Sequence, residues 1–401
     1  MLVGIVGKPN SGKTTFFNAA TAGNAKVADY PFTTIEPNVG VAFATQKCVC
    51  VEFGVEDNPK NSLCIEGIRH IPVKMIDVAG LVPDAWKGRG LGNKFLDDLR
   101  QADVLIHIVD ASGAHDADGK PLGRPGMWDP IKDVEFLEEE IVRWLYQILK
   151  RDWDKWARRI QTEKLDFYHS MAERLSGLSI RIEHIKKAVY DIDLDPEKPR
   201  QWSDDDLYHF AKKLRETSKP ILIVANKVDI PKAEENFERM KEKGINAIPA
   251  SALAEWALIK FAERGIVKYV RGSDHFEILH PEQLSDRERI LLNKIEEFLE
   301  KWKSTGVQTA INKAVFELGK MIAVYPVEDA SKLSDKKGNV LPDVFLVKRG
   351  TTAREFAALI HTDLAKTFLY AIDVRTKKKL PEDYELKDRD VIKIVAAGAR
   401  G

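Results

Sequence analysis

The sequence predicts an α/β protein in which a doubly wound, mainly parallel sheet is interrupted by a helical arm and followed by a smaller unit of short strands and one helix. The apolar runs LVGIV, HIPVKMID, VLIHIVD and ILIVAN end in polar or glycine-rich turns and alternate with helical patterns, as buried parallel strands do. About a hundred residues separate VLIHIVD from ILIVAN, far more than one crossover uses. Near the carboxyl end, FLVKRGTTAREFAALI, FLYAIDVRTKKKL and DVIKIVAAG return to strand periodicity around a single helix.

The first strand leads directly into a complete phosphate-loop pattern. Gly7 to Thr14 reads GKPNSGKT, and TTFFNAATAG continues as a helix. Glycines let the backbone wrap closely around phosphate oxygens, while the loop amides and the positive end of the helix dipole point inward. Lys8, Pro9, Asn10, Ser11, Gly12, Lys13, Thr14 and Thr15 are therefore the expected phosphate-binding segment. The Lys13 ammonium reaches the β- and γ-phosphates, and the Thr14 hydroxyl coordinates Mg²⁺.

Later strand ends supply the remaining parts. HIPVKMIDVAG places Asp77 where a carboxylate holds Mg²⁺ and Gly80 where a backbone amide senses the γ-phosphate. Asp116 to Gly119 repeats the D-x-x-G pattern without a strand immediately before it, so context selects Asp77. Asn226-Lys227-Val228-Asp229 follows ILIVA and resembles the guanine-reading motif of the GTPase superfamily, in which the aspartate accepts from two nitrogens that adenine does not offer as donors. A mismatched base would leave polar groups unpaired. Ser251-Ala252 resembles the last superfamily motif, whose backbone amide touches the guanine carbonyl. The expected ligand is GTP or GDP, with ATP as the weaker alternative.

ADYPFTTIEPNVG resembles the first switch of the Obg family, and the resemblance implies that Thr34 reaches Mg²⁺ when a γ-phosphate is present. On local chemistry alone, the same stretch reads as a proline-bracketed turn. DVAGLVPDAWKGRGLGNKFL resembles the YchF branch of that family, with Gly88, Gly90 and Gly92 allowing a mobile loop before a helix near Asn93. Members of that branch often use ATP, whereas NKVD is intact here. Leu81 stands where Ras-like enzymes carry a water-orienting glutamine, so intrinsic hydrolysis is expected to be slow. In similar GTPases a phosphate-loop asparagine places K⁺, and Asn10 matches it. The catalytic set implied is Lys13, Thr34 and Gly80.

The remaining chain divides into contact modules. The expected boundaries are 1–112 with 216–275 for the P-loop GTPase domain, 113–215 for the insertion, 276–321 for a helical connector and 322–401 for the last unit. GTTAREFA and IHTDLAK make that unit resemble a TGS domain, a β-grasp module. In the insertion, Trp153, Trp156, Ile160, Phe167, Met171, Leu175, Leu178, Ile182, Ile185 and Val189 form a helical stripe with coiled-coil-like character, with Gly177 as a candidate turn; the YchF resemblance implies an antiparallel projecting arm. Residues 150–187 carry 10 Lys or Arg against 6 Asp or Glu. Two readings stand: a basic aromatic arm for structured RNA, or a solvated hairpin whose aromatics form its seam. Arg375, Lys377, Lys378 and Lys379 allow the same two readings, and His361 reads as structural or surface.

Charge and cysteine content narrow the field. Over 401 residues, 62 Lys and Arg balance 62 Asp and Glu, so nucleic-acid contact would need a local patch. No apolar run is long enough to span a bilayer, and Met1 precedes a strand rather than a signal peptide, giving a cytoplasmic expectation without membrane contact. Cys48, Cys50 and Cys64 crowd one segment but want a fourth zinc ligand; His70 is within reach in sequence, and small buried thiols are the plainer reading. The functional expectation is a monomeric, Mg²⁺-dependent GTPase switch with ribosome-associated work implied by family resemblance. Its rival is a nucleotide-gated ribosome- or RNA-binding module with negligible intrinsic hydrolysis.

Overall fold

The computed structural model describes residues 1–22, 38–78 and 98–397. They form two compact units: residues 2–19 with 75–310, and residues 20–74 with Met1 and residues from 311 onward. The first seven strands are β1 (Leu2–Val6), β2 (Val39–Lys47), β3 (Leu63–Ile65), β4 (Ile68–Asp77), β5 (Val104–Asp110), β6 (Ile221–Asn226) and β7 (Ala247–Ala250).

In the larger unit, β1, β5, β6 and β7 are parallel neighbours, in register through Val3 with Val104, Leu105 with Ile221 and Ile223 with Ala247. All seven residues of β5 are buried, the signature of a central strand covered on both faces. The end of β4 lies beside β1, with the Val78 amide 3.1 Å from the Ile5 carbonyl. Phe237 and Met240 from helix Ala233–Glu242, and Leu258 and Phe261 from helix Ala252–Glu263, bury against Leu292, Ile295, Phe298 and Leu299 of helix Asp286–Trp302. A two-residue pairing, β8 (Val267–Lys268) with β9 (Glu277–Ile278), completes this unit.

The insertion after β5 is helical, as the apolar stripe implies. Helix Ile131–Lys150 packs against helix Asp204–Ser218, joined by Tyr208 Oη donating to Glu139 Oε2 at 2.6 Å and by an Arg215–Glu138 ion pair. Between these two, the stripe is divided among helices Trp153–Glu163, Phe167–Arg174 and Ile182–Asp191. Left-handed residues Lys164 and Ser179, with φ of 49° and 56°, break it, and Asp152, at φ 53°, turns the chain just before it. The apolar positions therefore close into a local core. Trp202 lies 5.5 Å from Trp153, 5.2 Å from Phe167 and 5.4 Å from Phe210, ring centre to ring centre. Trp153, Phe167 and Trp202 are buried, which favours the seam reading of these aromatics over base stacking.

In the second unit, β3 and β4 form an antiparallel hairpin that sets Cys64 opposite Arg69. Five further strands, β10 (Met321–Pro326), β11 (Phe345–Lys348), β12 (Phe368–Asp373), β13 (Lys379–Leu380) and β14 (Val391–Ala396), form a sheet in the order β11-β10-β14-β12-β13. Helix Ala353–Ile360 starts at a capping box between Thr352 and Glu355 and buries Phe356 edge-on to Phe345. Residues 58–61 are tied to this sheet's surroundings by Asn58 N to Val340 O (2.8 Å), Lys60 N to Pro342 O (2.7 Å) and a reciprocal pair between Asn61 and Val344 at 3.0 Å. Arg375 is bidentate to Glu52 at 2.5 and 3.0 Å, and its hydrogen bond is the main cause holding the Glu52 carboxyl below its usual value. That assigns Arg375 a structural partner, while Lys377 and Lys378 remain exposed. His361 is exposed and accepts from the Asp363 amide at the start of helix Thr362–Lys366.

The aromatic core of the insertion should be sensitive to one deletion. Trp202→Ala is expected to destabilise the insertion by about 3–5 kcal/mol. The check is an earlier urea transition followed by tryptophan fluorescence.

Candidate functional site

The loop after β1 is shaped by contacts that leave no room for side chains. A Cβ at Gly7 would lie 2.5 Å from the Ile108 carbonyl oxygen, and one at Gly12, where φ is +91°, would lie 2.3 Å from Asn226 Nδ2. Helix Lys13–Thr21 begins at the end of this turn, bringing unpaired first-turn amides and the positive dipole end to the same place. Lys13 Nζ donates to Asp77 Oδ1, and Thr14 Oγ1 lies 3.3 Å from Asp77 Oδ2. The sequence-predicted lysine, threonine and strand-end aspartate are thus brought together. A hydroxyl and a carboxylate are hard oxygen donors, so this pair fits Mg²⁺.

Asn226 ties the segment expected to face a base to the loop expected to hold phosphates. Its Nδ2 donates to the Ser11 carbonyl at 3.0 Å, and its Oδ1 accepts from the Ala252 amide at 3.0 Å. Within the Ser251-Ala252 pair matched from sequence to the last superfamily motif, the Ala252 amide is bonded to Asn226. Ser251 instead starts helix Ala252–Glu263, accepting from Ala254 N at 3.2 Å, while its own amide donates to the Thr305 carbonyl at 3.0 Å. Lys227, at φ 66°, donates to the Asn10 carbonyl at 2.6 Å and pairs with Asp110 Oδ2 at 3.0 Å. Asp229 is exposed, with no hydrogen-bond partner among the described residues. Its carboxylate remains open to a base. Thr34, Gly80 and Leu81, and the glycines at 88, 90 and 92, lie outside the described residues.

A supporting layer escaped the sequence reading. Lys8 is 4% exposed; its ammonium donates to the His115 carbonyl at 2.9 Å, pairs with Asp133 Oδ2 at 2.8 Å and sits 5.1 Å from the Trp128 ring centre. These contacts occupy its ammonium, leaving its backbone as its expected contribution to the loop. Asn10 Nδ2 donates to the Gly119 carbonyl at 2.9 Å, so the second D-x-x-G stretch buttresses the phosphate loop. Burial alone would raise the Asp110 carboxyl, but Lys227, Ser112 and His115 together hold it below its ordinary value. Burial dominates at Asp133 and raises it despite Lys8 and Trp128. His107 on β5 is pushed down to about 3 by burial, reinforced by Lys8 and Arg215, and is neutral near pH 7. Only the position of Asp110 at a strand end hinted at this layer; His115, Trp128 and Asp133 follow no spacing rule, and the loop pattern that contains Lys8 does not give its side-chain partners.

Comparison with known proteins places this architecture. A GTP-binding protein of Methanocaldococcus jannaschii is 53% identical over 398 residues, covering 99% of each chain. With an Obg-like G4 motif-containing model matching residues 224–329, the chain belongs to the Obg-like GTPase family. Family models match residues 2–145, described as 50S ribosome-binding GTPase; residues 224–329, as Obg-like GTPase YGR210-like, G4 motif-containing domain; and residues 335–396, as TGS domain. The crystal structure of a GTP-binding protein from Pyrococcus horikoshii OT3 is 41% identical, with a TM-score of 0.79 over 99% of this chain and 100% of that one. The ribosome-binding ATPase YchF of Bacillus subtilis is 32% identical over 249 residues, covering 60% of this chain and 62% of the relative. This Obg-like GTPase thus combines a P-loop fold, an inserted helical subdomain and a TGS β-grasp sheet.

The asparagine bridge gives a direct test. Asn226→Ala leaves the buried Ser11 carbonyl and Ala252 amide without these partners, at about 1–3 kcal/mol each. Nucleotide affinity is expected to fall about 10- to 100-fold, measured by titration with a fluorescent guanine nucleotide; unchanged affinity would remove the bridge from the binding account.

Proposed function

We propose that this Obg-like GTPase binds GTP with Mg²⁺ and hydrolyses it slowly, using the difference between GTP and GDP as a conformational switch. The observation that carries the reading is Asn226, which joins the phosphate loop to the Asn226-Lys227-Val228-Asp229 segment and to Ala252 while Asp229 remains exposed. A carboxylate at that place accepts from the guanine ring N–H and amino group; adenine offers no matching pair. The YchF relatives are named ATPases, and the intact aspartate favours guanine over that alternative.

The loop amides, the start of helix Lys13–Thr21 and the Lys13 ammonium stabilise negative charge on the transferring phosphoryl group. When bound, Mg²⁺ supplies further charge neutralisation at the β- and γ-phosphates, held by Thr14 and Asp77, with Thr34 as the switch ligand. Lys13 exchanges Asp77 for phosphate oxygens. Gly80 donates its amide to the γ-phosphate, and Leu81 offers the attacking water no hydrogen bond. Asn10, positioned by Gly119, is the proposed ligand for a K⁺ that supplies the missing positive charge.

Ribosome association is proposed from the names of the YchF relatives and of the amino-terminal family model. Within the insertion, exposed Lys155, Arg158 and Arg159 offer phosphate contacts, whereas most of its aromatic surface is internal. The proposed setting is the cytoplasm; no helix among the described residues is long and apolar enough to cross a membrane.

Competition binding should show GTP bound at least about 100-fold more tightly than ATP, with Asp229→Ala collapsing the difference to within about 10-fold. Equal affinities in the unmodified protein would move the reading to a YchF-type ATPase. Lys13→Ala should abolish tight triphosphate binding in the same assay. Single-turnover hydrolysis should be faster in KCl than in NaCl at equal ionic strength, and equal rates would exclude Asn10 as an ion ligand. Cleavage seen only after ribosomes are added would favour the gated binding module. Reversing the charges of Arg158 and Arg159 should weaken co-sedimentation with ribosomes.

A further inference from the structure

The segment KCVCVEFGVEDNPKNSLC folds so that four donors meet. Cys48 and Cys50 lie at the start of helix Val49–Phe53, Cys64 comes from the β3–β4 hairpin, and Asp57 enters from the loop between them. Their Sγ and carboxylate oxygen atoms all lie within 4.8 Å of one another. Cys50 Sγ is 3.8 Å from Cys64 Sγ, and Cys48 Sγ donates to Asp57 Oδ2 at 3.3 Å. A tetrahedral zinc with Zn–S bonds of about 2.3 Å and a Zn–O bond of about 2.0 Å has S···S edges of about 3.8 Å and S···O edges of about 3.5 Å. These two separations lie close to those edges, and the remaining ones fall within 4.8 Å. The sulfur pair is also well beyond the roughly 2.05 Å of a disulfide.

We propose that Cys48, Cys50, Cys64 and Asp57 form a structural site for one thiophilic divalent cation of the Zn²⁺ class, separate from the nucleotide site. The fourth ligand missing from the cysteine spacing is the carboxylate of Asp57. His70 is turned elsewhere, with Nδ1 3.0 Å from the Ile68 carbonyl.

The surroundings suit such an ion. Three thiolates and a carboxylate around a dication leave two net negative charges, and Arg69 offsets one of them. Its side chain is fully buried, with Nη1 2.8 Å from Asp57 Oδ2, Nη2 donating to the Leu341 carbonyl at 2.5 Å and its guanidinium carbon 5.4 Å from the Tyr325 ring centre. Arg69 acts as a positioning residue that fixes one carboxylate oxygen. Cys48 and Cys50 belong to a buried apolar cluster with Val49, Ile71, Ala323, Tyr325 and Leu341, which restricts water access. Binding exchanges three thiol protons for the metal. The ion would fasten the Asp57 loop, whose next residues hydrogen-bond to Val340, Pro342 and Val344, to both the short helix and the hairpin.

The full-length protein, reduced and stripped with a chelator, should be titrated with Zn²⁺ alone against a chromogenic chelator and, separately, with Co²⁺. About one metal per chain is expected, and Co²⁺ should produce an intense thiolate-to-metal absorption that Thr14 and Asp77 cannot generate. Cys64→Ser should weaken Zn²⁺ binding at least 100-fold, and Asp57→Asn should retain the sulfur band with about 10-fold weaker binding. Absence of the thiolate band in the reduced unmodified protein would overturn the proposal whatever the variants do. So would metal uptake unaffected by Cys64→Ser, or a Cys50–Cys64 disulfide in a chain that takes up no metal after reduction.

Discussion

The site depends on one buried amide side chain. Asn226 stands at the end of β6 with its donor on the Ser11 carbonyl and its acceptor on the Ala252 amide. It sets the separation between the turn proposed to hold phosphates and the residues proposed to face a base. Parallel pairing of β5, β6 and β7 places these strand ends on one edge of the sheet, and the asparagine turns that rough proximity into fixed distances. Gly12 belongs to the same constraint, since any larger residue would collide with the asparagine amide. Loop composition and strand-end chemistry are thus two expressions of one packing requirement.

The central strands and phosphate loop were legible because their physics is local. A buried parallel strand needs an apolar run, and a backbone that wraps phosphate needs glycine beside lysine and a hydroxyl. The coming together of Lys13, Thr14 and Asp77 followed from motif order on a doubly wound sheet. The layer beneath the loop was not legible: Lys8, Gly119, Trp128 and Asp133 meet through tertiary folding of the segment after β5, and no periodicity records that. Asp57 was hidden similarly, since an acidic residue in a polar loop looks solvated until the hairpin brings it beside Cys48.

The insertion shows how pattern and packing divide the information. Spacings of three, four and seven announce helices, and helices form. They do not announce where the helices stop. Lys164 and Ser179 adopt left-handed conformations that fold the stripe back on itself, so tryptophans that read equally well as a seam or a stacking platform become the interior of a subdomain. Trp202, outside the stripe, joins that interior from the later part of the segment.

The buried Lys8 ammonium has a mechanical consequence. It belongs to the phosphate loop, yet its counter-ion, Asp133, sits in the first turn of the twenty-residue helix Ile131–Lys150. Separating that pair would strand two charges in a nearly dry environment, at a cost of several kcal/mol. The pair therefore ties the loop to the root of the arm. The far end of that helix lies about 30 Å away by its rise per residue, so a single buried charge pair fastens a lever of that length to the loop after β1.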